Sequence, residues 1–92
     1  MLVTLRQLQY VIAVAETGSF SKASDLVAAE QSTISQQIRV LEERLGTEIF
    51  DRSSLPVTVT PKGEELIVQA REIIEKVEAM LLPFKSAPNR FG

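Results

Sequence analysis

The chain has 92 residues, 45% of them apolar, and a formal net charge of −2; this suits one modest core without cross-links and leaves little room for a catalytic cleft. It contains no cysteine and no histidine, which removes disulfides, thiol chemistry and the usual zinc sites, and its carboxylates are scattered among lysines and arginines, so no metal or cofactor and no enzymatic activity are expected. The opening MLVTLRQL is interrupted by Arg6 and Gln7 and no apolar run approaches the length of a bilayer span, so a soluble, cytoplasmic protein without a membrane segment is predicted.

Thr4 followed three residues later by Gln7 has the form of a capping box, and Leu5, Leu8, Ile12 and Ala15 supply a core-facing stripe until Gly18 ends a first helix. Phe20 then precedes Ser21, an N-cap candidate, and Ala23, Leu26 and Val27 give a helix of about two turns that buries one face. Such a helix is too short to stand alone. A tight connection through Ala28–Glu30, without the glycine often found there, leads into a second amphipathic helix, and the pair forms a helix-turn-helix.

In that second helix Ile34, Ile38, Leu41 and Leu45 fall on one stripe, while Ser32, Gln36, Arg39 and Glu43 fall opposite. The first turns therefore present Gln31, Ser32, Thr33, Ser35 and Gln36, a short and mostly uncharged hydrogen-bonding surface. Hydroxyls and carboxamides of this kind read base edges in the major groove, where glutamine pairs with adenine and a threonine methyl meets the thymine methyl. The same residues also suit the capped, solvated start of an ordinary helix.

Gly46 is the expected C-cap, after which the period changes. Ile49 and Phe50, then Val57 and Val59, read as two short strands around a Ser-Ser-Leu-Pro turn, a small wing. Arg52 stands at the mouth of that turn, either reaching phosphate or the minor groove or held in a salt bridge. Thr60 and Pro61 then open a long helix, with Glu64 and Glu65 complementing its dipole and Pro83 ending it. Leu66, Ala70, Ile73, Val77 and Met80, broadened by Ile67, Ile74 and Leu81, make an apolar stripe longer than a three-helix core can cover. Its simplest use is pairing with the same helix of a second copy; the alternative is folding back onto its own domain.

The fold class is thus mainly α: a winged helix-turn-helix over residues 1–60, a dimerisation helix over 61–83, and a flexible tail over 84–92. Charge is the feature that resists a nucleic-acid reading, since between Ser19 and Lys62 five basic residues face six acidic ones. Binding to duplex DNA requires the positives gathered on one side, with hydroxyls and backbone N–H groups adding phosphate contacts. The competing reading is a winged-helix interaction module without autonomous DNA binding, which the acidic balance and the apolar last helix also suit.

Three blocks taken together, LRQLQYVIAVAETGSFSKAS, QSTISQQIRVLEERLGTEIFDRS and VTPKGEELIVQAR, resemble the N-terminal DNA-binding domain and linker helix of the LysR-type transcriptional regulators. The resemblance covers about residues 4–82. It implies a homodimer joined through the linker helix, with a tetramer as the further assembly open to a full-length regulator, on a partly palindromic promoter site of double-stranded DNA. It further implies base reading by Gln31, Ser32, Thr33, Ser35 and Gln36, and phosphate or minor-groove contacts from Lys22, Arg39, Arg52, Thr60 and Lys62. Any small-molecule effector is expected to act only through a two-lobed C-terminal domain that is absent from this sequence. Three positions depart from the family pattern: Glu30 replaces a small residue, Ser32 a proline and Gln36 an arginine, the last of which shifts the expected preference towards adenine.

Overall fold

The computed structural model describes residues 2–86. Its elements are α1 (Leu5–Thr17), α2 (Phe20–Val27), α3 (Gln31–Leu45), β1 (Phe50–Asp51), β2 (Thr58–Val59) and α4 (Pro61–Ser86). No helix among the described residues is long and apolar enough to cross a membrane. Residues 87–92, most of the expected tail, lie outside the described residues.

The capping box forms as expected: Thr4 Oγ1 accepts from the Gln7 N–H at 3.1 Å and Gln7 Oε1 accepts from the Thr4 N–H at 2.9 Å. Gln7 is itself buried, and its Nε2 donates to Gln37 Oε1 on α3 at 3.2 Å. The buried face of α1 is broader than the expected stripe and rotated from it. Leu8, Val11 and Val14 lie at its centre, Ile12 and Ala15 are half-buried, and Leu5 is exposed. Three helices pack around α1, so a stripe fitted to one neighbour does not describe it.

Ser19, not Ser21, caps α2. Its backbone is extended and its Oγ accepts from the Lys22 N–H, while Ser21 lies inside the helix and its carbonyl accepts from Ser24 Oγ. Phe20 becomes the first helical residue, placing its ring edge-on to Phe50 with centroids 6.3 Å apart. Of the face expected on α2, Ala23 is fully buried and Val27 half-buried, but Leu26 is exposed. In the following turn Ala28 adopts the left-handed conformation, φ 52°, that glycine usually supplies there.

Ile34, Ile38 and Leu41 fill the centre of the core, whereas Leu45, at the helix end, has passed beyond it. Gly46 closes α3 in the left-handed conformation. The wing is a two-stranded antiparallel ladder pairing Phe50 with Val59 and Asp51 with Thr58. It is tied back to the α1–α2 turn by the Val57 N–H, which donates to the Gly18 carbonyl at 2.8 Å.

α4 starts against the wing and leaves the domain. Ile67 and Ala70 are buried and Leu66 packs against the core, but from Arg71 onwards the apolar residues are only partly covered or exposed. Twenty-six residues make a rod of about 39 Å, which accounts for the elongated envelope of 49 × 24 × 20 Å. Pro83 does not end this helix, which continues to Ser86. The fixed φ of proline is a helical value, so in an exposed last turn it removes one donor rather than forbidding the conformation.

Candidate nucleic-acid interface

The outward side of α3 is built by its own core stripe. With Ile34, Ile38 and Leu41 facing inward, the 100° step leaves Gln31, Ser32, Thr33, Gln36 and Arg39 exposed. Among the described residues none of these five side chains forms a hydrogen bond or ion pair within the protein, nor does that of Lys22 on α2. The helix opens without a side-chain cap: Glu30 occupies the N-cap position with extended backbone, but its carboxylate bonds no backbone N–H.

Two expected contact residues, Arg52 and Thr60, are turned to internal work. Arg52 does not extend from the mouth of the wing. Its Nη2 donates to Glu42 Oε1 at 3.2 Å and its Nη1 to Ser35 Oγ at 2.9 Å, and its guanidinium carbon lies 4.6 Å from the centroid of the Phe20 ring. Burial draws the Arg52 pKa below its ordinary value; the Glu42 charge opposes this and the nearby Arg39 charge adds to it. The group is therefore held by short-range partners on α2 and α3, and the salt-bridged alternative is the one that forms. Ser35 is accordingly half-buried, with its oxygen engaged.

Thr60 is the second case, its hydroxyl engaged within the protein. Its hydroxyl lies 2.6 Å from the Glu48 carbonyl and 3.2 Å from the Ile49 carbonyl, and its oxygen accepts from the Gly63 N–H at 3.0 Å. It caps α4 and pins it to the chain entering the wing. Lys62 is exposed, in a loose pair with Glu65 at 3.3 Å; such surface pairs are weak enough to yield to a stronger anion.

Glu42 is the residue that sequence reasoning missed, having counted it only as an acid unfavourable to DNA. Its Oε2 accepts from the backbone N–H groups of Ile49, at 2.8 Å, and Phe50, at 3.3 Å, while Oε1 holds Arg52. One carboxylate thus fastens the wing to α3 and balances the charge of the half-buried arginine. The available signal was its place beside Leu41 on the edge of the core stripe, one turn before the Gly46 cap. At the end of β1, Asp51 is held below the usual carboxylate range by hydrogen bonds from the Ser53 hydroxyl and N–H.

The apolar row expected at a dimer seam divides in two. Ala70 is fully buried inside its own domain, and Leu66, half-buried, packs against the same core. Ile73, Met80 and Leu81 are exposed and Val77 is half-buried. A further ion pair, Arg71 Nη1 to Glu16 Oε1 at 3.0 Å, fixes the point at which α4 parts from α1. Beside it an open groove of about 590 Å³ runs between α1, the α2–α3 turn and α4, with Ile12, Leu26 and Ile74 among its lining. Among the described residues no group of His, Cys, Asp or Glu is placed to hold a metal ion.

Comparison with known proteins gives one consistent result. The profile of the family described as bacterial regulatory helix-turn-helix protein, lysR family, matches residues 5–64. The HTH-type transcriptional regulator BenM of Acinetobacter baylyi is 40% identical over 77 residues, covering 84% of this chain and 25% of BenM. MetR of Haemophilus influenzae is 43% identical over 72 residues, covering 78% of this chain and 23% of MetR. The chain thus spans about a quarter of the length of these relatives. Among solved structures, the BenM DNA-binding domain in complex with catB site 1 DNA superposes with a TM-score of 0.85 at 37% identity, covering 94% of this chain and 100% of that one.

Proposed function

The chain belongs to the LysR family of bacterial regulatory helix-turn-helix proteins, transcription regulators rather than enzymes, as the DNA-binding portion of such a regulator, and from that premise we propose that it reads a partly palindromic site on double-stranded DNA as a homodimer. The observation that carries this reading is the row Gln31, Ser32, Thr33 and Gln36, exposed along one side of α3 and, among the described residues, without a side-chain partner. These are groups that pair with base edges when a helix lies in the major groove. Lys22 and Arg39, unpaired among the described residues, serve as phosphate contacts, with Lys62 at the start of α4 as a third. The similar BenM domain, crystallised with DNA of the benA and catB sites, supports the same docking.

In this reading Arg52 is a brace rather than a groove-reaching arm, and the wing meets DNA through its serine-rich tip, Ser53 and Ser54. Dimerisation uses only the outer part of α4, where Ile73, Val77, Met80 and Leu81 leave apolar surface uncovered. Two antiparallel or crossed α4 rods would set two α3 helices on one face of the duplex, which is what a two-fold operator requires. An effector, and any higher assembly, belongs to parts of a longer regulator.

The test is selection of bound sequences from a random duplex pool, followed by affinity for the recovered site at two salt concentrations. A two-fold site with helically phased half-sites and a steep salt slope is the expected result. Binding that ignores sequence, or affinity indifferent to salt, would overturn the reading in favour of an interaction module.

A further inference from the structure

Buried packing of α4 on its own domain ends at Ala70, and the next residue, Arg71, donates from Nη1 to Glu16 Oε1 at 3.0 Å. Among the described residues this is the one ion pair that joins α4 to another helix. Beyond it α4 borders the open groove beside α1, which Glu16 and Ile74 both line, and no residue from Glu72 to Lys85 is buried. The mount of Glu16 is rigid. The Thr17 hydroxyl donates to the Ala13 carbonyl at 2.8 Å and the Gly18 carbonyl accepts from the Val57 N–H at 2.8 Å, so the end of α1 is fixed to the wing. An acid in the last turn of a helix opposes the helix dipole, so α1 itself does not account for Glu16. Arg71 has an acid one turn along its own helix, Glu75, yet it pairs with Glu16.

We infer that Glu16 and Arg71 are a positioning pair: on the reading of α4 as the dimer rod, they set the angle between the rod and the DNA-binding body, and thereby the spacing of half-sites that the dimer accepts. Leverage lets so small a contact matter. From Arg71 to Ser86 the helix runs about 22 Å. A tilt of about 10° at Arg71 therefore moves its far end by about 4 Å, more than the rise of about 3.4 Å of one base pair. The two side chains are 45% and 48% exposed, and an exposed ion pair shifts such an equilibrium roughly 2- to 5-fold. That biases the angle while adding little to the stability of the fold.

The experiment measures affinity for the two-fold site recovered by selection, with its half-site spacing kept, shortened by one base pair or lengthened by one base pair, and for a duplex holding a single half-site. The wild-type chain, Glu16→Gln, Arg71→Gln and the double variant Glu16→Gln/Arg71→Gln are compared, with the thermal midpoint of each recorded. Each single variant is expected to lose roughly 2- to 5-fold of the preference for the kept spacing over the altered ones. Its affinity for the single half-site and its midpoint should stay at the wild-type values. The double variant should lose no more than either single one, because both remove the same contact.

An unchanged spacing preference in the single variants, losses that multiply in the double variant, or an equal loss on every duplex would overturn the inference while leaving dimeric DNA binding intact. A wild-type chain that is monomeric, or that recovers no two-fold site, would defeat the dimeric DNA-binding reading itself and the inference with it.

Discussion

Glu42 and Ile49, seven residues apart across the turn that ends α3, are joined by a 2.8 Å hydrogen bond from the Ile49 backbone N–H to the Glu42 carboxylate. The same carboxylate accepts from Phe50 and pairs with Arg52. Glu42→Ala would leave two N–H groups and a largely buried guanidinium without their partner, and a loss of about 2–4 kcal/mol is expected. Glu42→Gln, which keeps one acceptor oxygen, should lose less. Urea denaturation measures both, and an alanine variant within about 0.5 kcal/mol of wild type would mean that the carboxylate is not what fastens the wing.

Gly63 makes α4 possible at its present distance from the wing. A Cβ there would drive into the Ile49 carbonyl oxygen and stand 2.9 Å from Val59 Cγ1. Alanine is the better helix former by about 1 kcal/mol, so propensity and packing oppose each other. Because the obstructing atom is backbone, packing should win: Gly63→Ala is expected to lose about 1–3 kcal/mol, seen as a lower thermal midpoint. A midpoint equal to or above wild type would show that the wing can shift to admit a methyl group.

Base reading and phosphate contact differ in how they fail. Gln36→Ala is expected to lose discrimination at one base position, by about 1–3 kcal/mol, with the rest of the site unaffected. Lys22→Ala should weaken all sequences alike and reduce the slope of log affinity against log salt by about one unit. Affinities over a panel of single-base-pair substitutions, at several salt concentrations, separate the two. Equal and sequence-independent losses from both variants would contradict the assigned roles.

Ala70 and Met80 share the apolar side of α4 by sequence but not by burial. Ala70 is fully enclosed and Met80 is 62% exposed. On the proposed pairing Met80→Asp should therefore give a folded monomer in place of a dimer, whereas Ala70→Asp buries an unpaired charge in the core and should prevent folding. Sedimentation and circular dichroism on the two variants check this. A Met80→Asp chain that keeps a dimeric wild-type mass, or a wild-type chain that is itself monomeric, would overturn the proposed pairing through the outer half of α4.

The elements of this fold are local events and were legible as such. The Thr4–Gln7 box, the Gly18 and Gly46 caps, the Ile34–Ile38–Leu41 stripe and the change of period at Ile49 each depend on residues a few positions apart, where backbone sterics and one hydrogen bond decide the outcome. The exposed row on α3 followed from the same stripe, since whatever lies opposite a buried face is exposed.

What only the tertiary structure decided is which group faces which. Sequence placed Arg52 at the mouth of the wing, but whether it reached outward depended on Glu42, Ser35 and Phe20 arriving beside it from two other helices. Leu66, Ala70, Ile73 and Met80 make one continuous stripe by periodicity, yet the domain covers only its first half, because α4 runs on beyond the core. Burial and the partners of a charged side chain are set by elements distant along the chain, and no spacing within a single helix contains that information.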